Sequence, residues 1–181
     1  MSASEWAAHA AEEHLAPLGR RWVHVQRVAA TAERIAPAVS TDTDTLVAAA
    51  YVHDIGYSPA LAMTGFHPLD GARFVTDAGY PDIAYLVAHH TGARNEAELR
   101  GLPELLDEFP FENSLLHRAL TYCDLTTGPA GDPTDVRDRI AEIVERYGSD
   151  HVVARAATIG LPEFLAIEAE IEALVPLDAA R

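Results

Sequence analysis

Apolar residues recur at intervals of three and four along almost the whole chain, while strict apolar and polar alternation over a strand's length is hard to find. That periodicity predicts an all-α fold, a helical bundle. Ser2 and Glu5 have the spacing of a capping box opening a first helix towards Leu15, and Pro17–Gly19 breaks it. A second helix runs from Arg20 to Ile35, with Trp22, Val25, Val28, Ala32 and Ile35 as its apolar stripe and Pro37 as its end. Ser40–Thr45 offers several N-caps for a third helix, whose inward face carries Leu46, Ala49, Ala50 and His53 at i, i+3, i+4 and i+7. Beyond Gly56 a loop or short helix passes Met63 and Gly65. Helices from Pro68 to Ala78 and from Pro81 to His90 follow, each with proline in its first turn. Asn95–Phe111, acidic and punctuated by proline, is expected to be a surface excursion with a short helix around Glu104, and a candidate lid. Asn113 is expected to cap a helix through Leu125, and Thr134 one that ends at Tyr147. A final helical hairpin broken near Gly160–Pro162 closes the chain, and the C-terminal third reads as structural.

The length of 181 residues suits a single domain over 1–181, with its core in 20–147 and C-terminal helices in 150–175 packed on it. Hydrophobic residues make up 49% and charged residues 23%, which is too apolar for a disordered chain. The formal charge of −15 repels the phosphate backbone that dominates nucleic-acid affinity, so large nucleic acids are excluded as partners. All 13 basic residues are arginine, which removes every mechanism that needs a Schiff-base or P-loop lysine. A single cysteine, Cys123, permits no internal disulfide and no cysteine-based zinc finger, and fits a reducing compartment. The N-terminal stretch lacks a signal-peptide pattern, and no apolar run approaches the ~18–20 residues of a membrane span. The expectation is a cytoplasmic protein without a membrane partner, with homo-oligomer formation left open.

The chemistry sits in His24, His53, Asp54, His67, His89, His90 and Asp124. Any one of these alone is more often a hydrogen-bonded core or surface residue than a ligand. As a set they differ, because His24 shares a face with Val28 and Ile35, His53 with Leu46 and Ala49, and Asp124 with Leu116 and Leu120. Three helices thus aim ionisable groups inward. Burying such groups unpaired is costly, and a bound cation removes the cost. Imidazole mixed with carboxylate suits Mn, Fe, Co, Ni or Zn better than Ca or Mg, so the expected cofactor is a divalent transition metal.

The order of His24, the adjacent His53-Asp54 and then Asp124, in the contexts HVQRV, AAYVHDIGY and ALTYCDLTTG, resembles the HD-domain metal-dependent phosphohydrolase superfamily across roughly residues 20–147. The resemblance implies an HD-type bundle in which His24, His53, Asp54 and Asp124 bind one metal. Members with two metals add a histidine after the HD pair and another further on. His67 in FHPLDGARF and His89 in VAHHTGAR take those places here, which implies two ions with Asp54 as the bridge. His90, at i+7 from Ile83 and i+4 from Leu86, also has inward spacing, and is expected behind the ligands or against a substrate phosphate. Trinuclear members carry a glutamate where Arg20 stands, so a third metal is not expected. The cyclic-dinucleotide branch has lysine after HDIG, where this chain has Tyr57, and its GYP motif follows the histidine pair. Gly79-Tyr80-Pro81 precedes the pair and reads as a helix-start turn.

The implied activity is hydrolysis of a small phosphate ester, a nucleotide or phosphorylated metabolite, with Asp54, His90 and Arg94 as the catalytic groups. Arg94 lies just beyond the histidine pair and offers a guanidinium that matches phosphate geometry, ahead of Arg20 and Arg21. Tyr57, Thr91 and Thr126 are candidate pocket walls by side-chain type alone. Two rival readings remain. Di-iron oxygenases of the inositol-oxygenase type resemble the same order of ligands, although the missing lysine argues against such a site. A non-catalytic sensor module would keep the metal cage for stability.

Overall fold

The computed structural model describes residues 1–40 and 42–175, in which the helical periodicity resolves into ten α-helices. They are α1 (Ala3–Leu15), α2 (Arg20–Val39), α3 (Thr43–Val52), α4 (His67–Asp77) and α5 (Pro81–His89), then α6 (Ala93–Arg100), α7 (Glu104–Glu108), α8 (Leu115–Leu125), α9 (Val136–Tyr147) and α10 (Val152–Leu174). Short 3₁₀ turns at Ala16–Leu18, Ile55–Tyr57 and His90–Gly92 join some of them. Thr41, one of the expected cap positions, and residues 176–181 of the expected 1–181 span lie outside the described residues. No strand occurs among the described residues, and Thr127 and Pro133 make an isolated bridge.

Helix α3 is apolar nearly all round, and it packs against α1, α2, α5 and α8 at the centre of the bundle. The capping box at Ser2 forms as the spacing predicts, with the Ser2 amide donating to Glu5 at 2.8 Å and the Glu5 amide donating to Ser2 Oγ at 3.1 Å. Gly19, at φ +58, makes the left-handed turn that separates α1 from α2.

Several boundaries differ from the sequence reading. Helix α2 runs through Pro37 to Val39, and α10 runs through Pro162 as one helix instead of a hairpin. A proline removes the amide that would bond the carbonyl four residues earlier. Those carbonyls belong to Glu33 and Thr158, both exposed, so water can satisfy them. The buried side of α10 meanwhile continues across the proline as Ala154, Ala156, Gly160, Phe164, Ile167 and Ile171, and packing holds the helix together. The caps of α8 and α9 are Ser114 and Asp135, each one residue beyond the expected Asn113 and Thr134, accepting from the amides of His117 and Asp138. Asn95–Phe111 is no loose excursion. Ala97 in α6, together with Leu105 and Phe109 around α7, is buried in the main core, and α6 lies along α10. A second, smaller core of Leu125, Val136, Ile140, Ile143 and Phe164 joins the end of α8 to α9 and α10.

Candidate metal centre

Six side chains from five places in the chain meet at the end of α3. His24 comes from α2, His53 and Asp54 from the end of α3, His67 from the start of α4, His90 from the turn after α5, and Asp124 from the last turn of α8. All are buried except His67, which is partly exposed. They form two groups, His24 with His53 and Asp124, and Asp54 with His67 and His90. Within each group the candidate ligand atoms lie within 4.8 Å of one another.

Asp54 faces both groups. Its Oδ1 is 3.3 Å from His67 Nε2 and 3.7 Å from His90 Nε2, and its Oδ2 is 3.6 Å from His53 Nε2. In the other group, Asp124 Oδ1 stands 3.0 Å from His24 Nε2 and 3.8 Å from His53 Nε2. Glycine at position 56 makes this juxtaposition possible: a Cβ there would lie 2.1 Å from the His67 carbonyl oxygen and 2.7 Å from the Gly71 amide. The loop before His67 is fixed by buried Asp70, whose carboxylate accepts from the amides of Met63, Thr64 and Gly65.

The imidazoles are oriented by the backbone behind them. Nδ1–H of His24 donates to the Gly128 carbonyl at 3.0 Å, that of His53 to Ala50 at 2.8 Å and that of His90 to Val87 at 2.6 Å. With Nδ1 protonated, each neutral ring turns an Nε2 lone pair inward, the arrangement a metal-ligating histidine requires. His53 Nε2 is buried without a hydrogen-bond partner, an orphan that a cation would satisfy. The donor set of imidazoles and two carboxylates therefore fits a divalent transition metal.

The electrostatics agree. Burial pushes Asp54 up, but the Arg21 charge and its histidine neighbours outweigh it and hold the carboxyl well below the usual range. Asp124 is likewise lowered, by its bond to His24 and the charge of His53 working against burial. Burial depresses His53, and it takes His67 down to about 4 despite the bond to Asp54. For His24 and His90 burial is opposed more strongly, by Asp124 and Asp54 respectively, and their affinity for protons rises. Two ionised carboxylates thus draw positive charge, while burial keeps the His53 and His67 rings neutral.

The structure corrects two expected positions. His89 does not join the cluster: its Nε2–H donates to the Phe109 carbonyl at 2.6 Å, and its own carbonyl accepts from His117 Nε2. The chain kinks at once after it, with His90 at ψ 148 and Thr91 at φ 47, so His90 turns inward and stands where His89 was expected. Arg94, expected at a substrate phosphate, lies over the Phe111 ring at 3.7 Å and 3.7 Å from Glu163, away from the cluster.

The cluster floors a cavity of about 430 Å³ whose walls include Arg20, Arg21, Arg139 and Arg146. Arg21 pairs with Asp54 and lies 3.7 Å over Tyr57, whose ring stacks on His67 at 3.9 Å. Thr91 also lines the cavity and donates its hydroxyl to Asp124 Oδ2, while Thr126 turns back to the Tyr122 carbonyl. Sequence reading missed Arg139 and Arg146, taking the last helices as structural. A signal was there, since Arg139 interrupts the stripe Val136, Ile140, Ile143 and Tyr147, and Arg146 follows seven residues later on the same face.

Among the described residues no helix is long and apolar enough to cross a membrane. A family model described as HD domain matches residues 21–150. No curated protein and no solved structure gives a significant match.

Proposed function

Because the chain belongs to the HD-domain family, whose members are in general metal-dependent phosphohydrolases, we propose that it hydrolyses a small phosphate ester, a nucleotide or another phosphorylated metabolite, at a binuclear metal centre. The observation that carries this reading is Asp54, whose two carboxylate oxygens face two separate groups of inward-turned histidine nitrogens. We assign His24, His53 and Asp124 to one ion, His67 and His90 to the other, and Asp54 to both. When bound, such ions supply Lewis acidity towards phosphoryl oxygens and lower the pKa of water.

The chain's own groups do the remaining work. Arg21, anchored by Asp54 and Tyr57 at the cavity wall, and exposed Arg20 present guanidinium donors to phosphoryl oxygens, the role once expected of Arg94. The backbone carbonyls of Gly128, Ala50 and Val87 keep three rings in the tautomer that leaves Nε2 free. A cavity of this volume admits a small metabolite, and the charge of −15 disfavours a polymeric nucleic acid.

The test is metal analysis of the purified protein, followed by a phosphate-ester assay on the same sample. Near two equivalents of a transition metal with turnover is expected. Asp54→Ala should lose both metal and turnover, and an Asp54→Ala protein that keeps both would sink the reading. Bound iron with oxygen uptake and no phosphatase activity would replace it by an oxygenase.

A further inference from the structure

The cavity extends beyond what one phosphoryl group can fill. Its volume of about 430 Å³ corresponds to roughly fourteen waters at ~30 Å³ each. Helix α9 supplies a wall with an uncommon feature. Arg139 is only 9% exposed, and buried arginine is rare unless fully paired. Its Nη1 bonds Glu142, but its Nε is buried with no hydrogen-bond partner. Glu142 is shared, for its other oxygen lies 3.3 Å from Arg146 Nε. Two guanidinium groups therefore divide one carboxylate, and this wall keeps a net positive charge in a chain that is otherwise strongly acidic. Ile143 from the same helix and Val153, Ala156 and Ala157 from α10 give the cavity an apolar lining beside it.

Half a shared carboxylate leaves each guanidinium with donors to spare, and both residues line the cavity, where a ligand anion can accept from them. We propose that Arg139 and Arg146 form an anion subsite, so that the preferred ligand is a small phosphate ester whose other end carries a second anionic group, phosphoryl or carboxylate, with an apolar stretch between. The identity of the first phosphate rests on the hydrolase reading. The subsite itself does not require turnover.

The test is isothermal titration of the metal-loaded protein with an alkyl phosphonate, with α,ω-bisphosphonates and with ω-carboxy phosphonates over a series of chain lengths. At one chain length the second anion should tighten binding by about tenfold, in line with a charge-assisted hydrogen bond. The better of the two series identifies the second group. Arg139→Gln and Arg146→Gln should each remove most of that gain. Arg146, with its side chain 39% exposed, reads the subsite without emptying a buried position, and circular dichroism reports whether Arg139→Gln still folds. A gain that survives the Arg146 change, as tighter metal chelation by the second anion would, overturns the subsite, as does no gain at any length. Turnover of a simple monoester is read separately. Gain without turnover keeps the subsite and removes the hydrolase reading, while turnover without gain does the reverse.

Discussion

Thr91 holds a left-handed backbone conformation, φ 47 and ψ 43, that a β-branched side chain rarely adopts and that costs about 1–2 kcal/mol. The strain accompanies a specific contact. The kink that turns His90 inward also brings the Thr91 hydroxyl to Asp124 Oδ2, leaving Oδ1 for His24, while the Thr91 amide reaches Thr121 Oγ1 at 3.3 Å. Thr91→Val keeps the branch and the strain but loses the hydroxyl, and should weaken metal affinity by about 10–100-fold. Thr91→Ser should restore it. Equal metal affinity in Thr91→Val and wild type, measured by competition with a chromogenic chelator, would leave the strained residue without this role. The same kink explains a misreading at residue scale. His89 and His90 both have inward helical spacing, and only the backbone break between them, which no periodicity encodes, decides which ring meets Asp54. His24, His53, Asp54 and Asp124 were legible because helix faces or an adjacent motif place them, and His67 only through the family resemblance.

At the scale of elements, α10 is keyed to that kink through Phe164. A Cβ on Gly92 would lie 2.7 Å from Phe164 Cζ, and one on Gly160 would lie 2.3 Å from the same atom. The ring therefore fills a slot between two glycines, one in the His90–Gly92 turn and one a turn earlier in its own helix. Gly160→Ala overpacks the slot, with an expected loss of about 1–3 kcal/mol of stability seen as a lower melting temperature. A melting temperature equal to or above that of wild type would mean that the ring moves aside freely. Helix existence was readable from apolar spacing, but boundaries at Pro37 and Pro162 were not, because exposure of the freed carbonyls is a property of the packed molecule. Helix α6 escaped notice because it offers only Ala93 and Ala97 as buried side chains among polar and acidic neighbours, whereas the short helix expected around Glu104 is α7. The wall of α9 and α10 belongs to the cavity for the same tertiary reason, since the turn at Gly148 folds the two helices back on each other.

At the scale of the whole molecule, an acidic exterior surrounds a recess lined by four arginines, with histidines beneath it whose protonation ties stability to pH. Burial lowers His53 and His117 and brings His67 and His89 to about 4. In the unfolded chain these rings titrate near ~6.5, so as pH falls from there towards 4 the unfolded state takes up protons that the folded state refuses, and stability declines. Burial also opposes protonation of His24 and His90, but Asp124 and Asp54 outweigh it and raise both. Their contribution is fully present below ~6.5 and is lost as pH climbs through the raised values. The two windows adjoin without overlapping, so the metal-stripped protein should be most stable near pH ~6.5 and weaken on either side. With metal the sign above that point reverses: ligand imidazoles must be neutral to bind a cation, so loss of the His24 and His90 protons strengthens binding, and bound ions stabilise by mass action. Melting temperatures recorded with a chelator and with excess manganese should diverge steadily as pH rises above neutrality. Parallel curves would mean that the cation binds somewhere other than among these histidines.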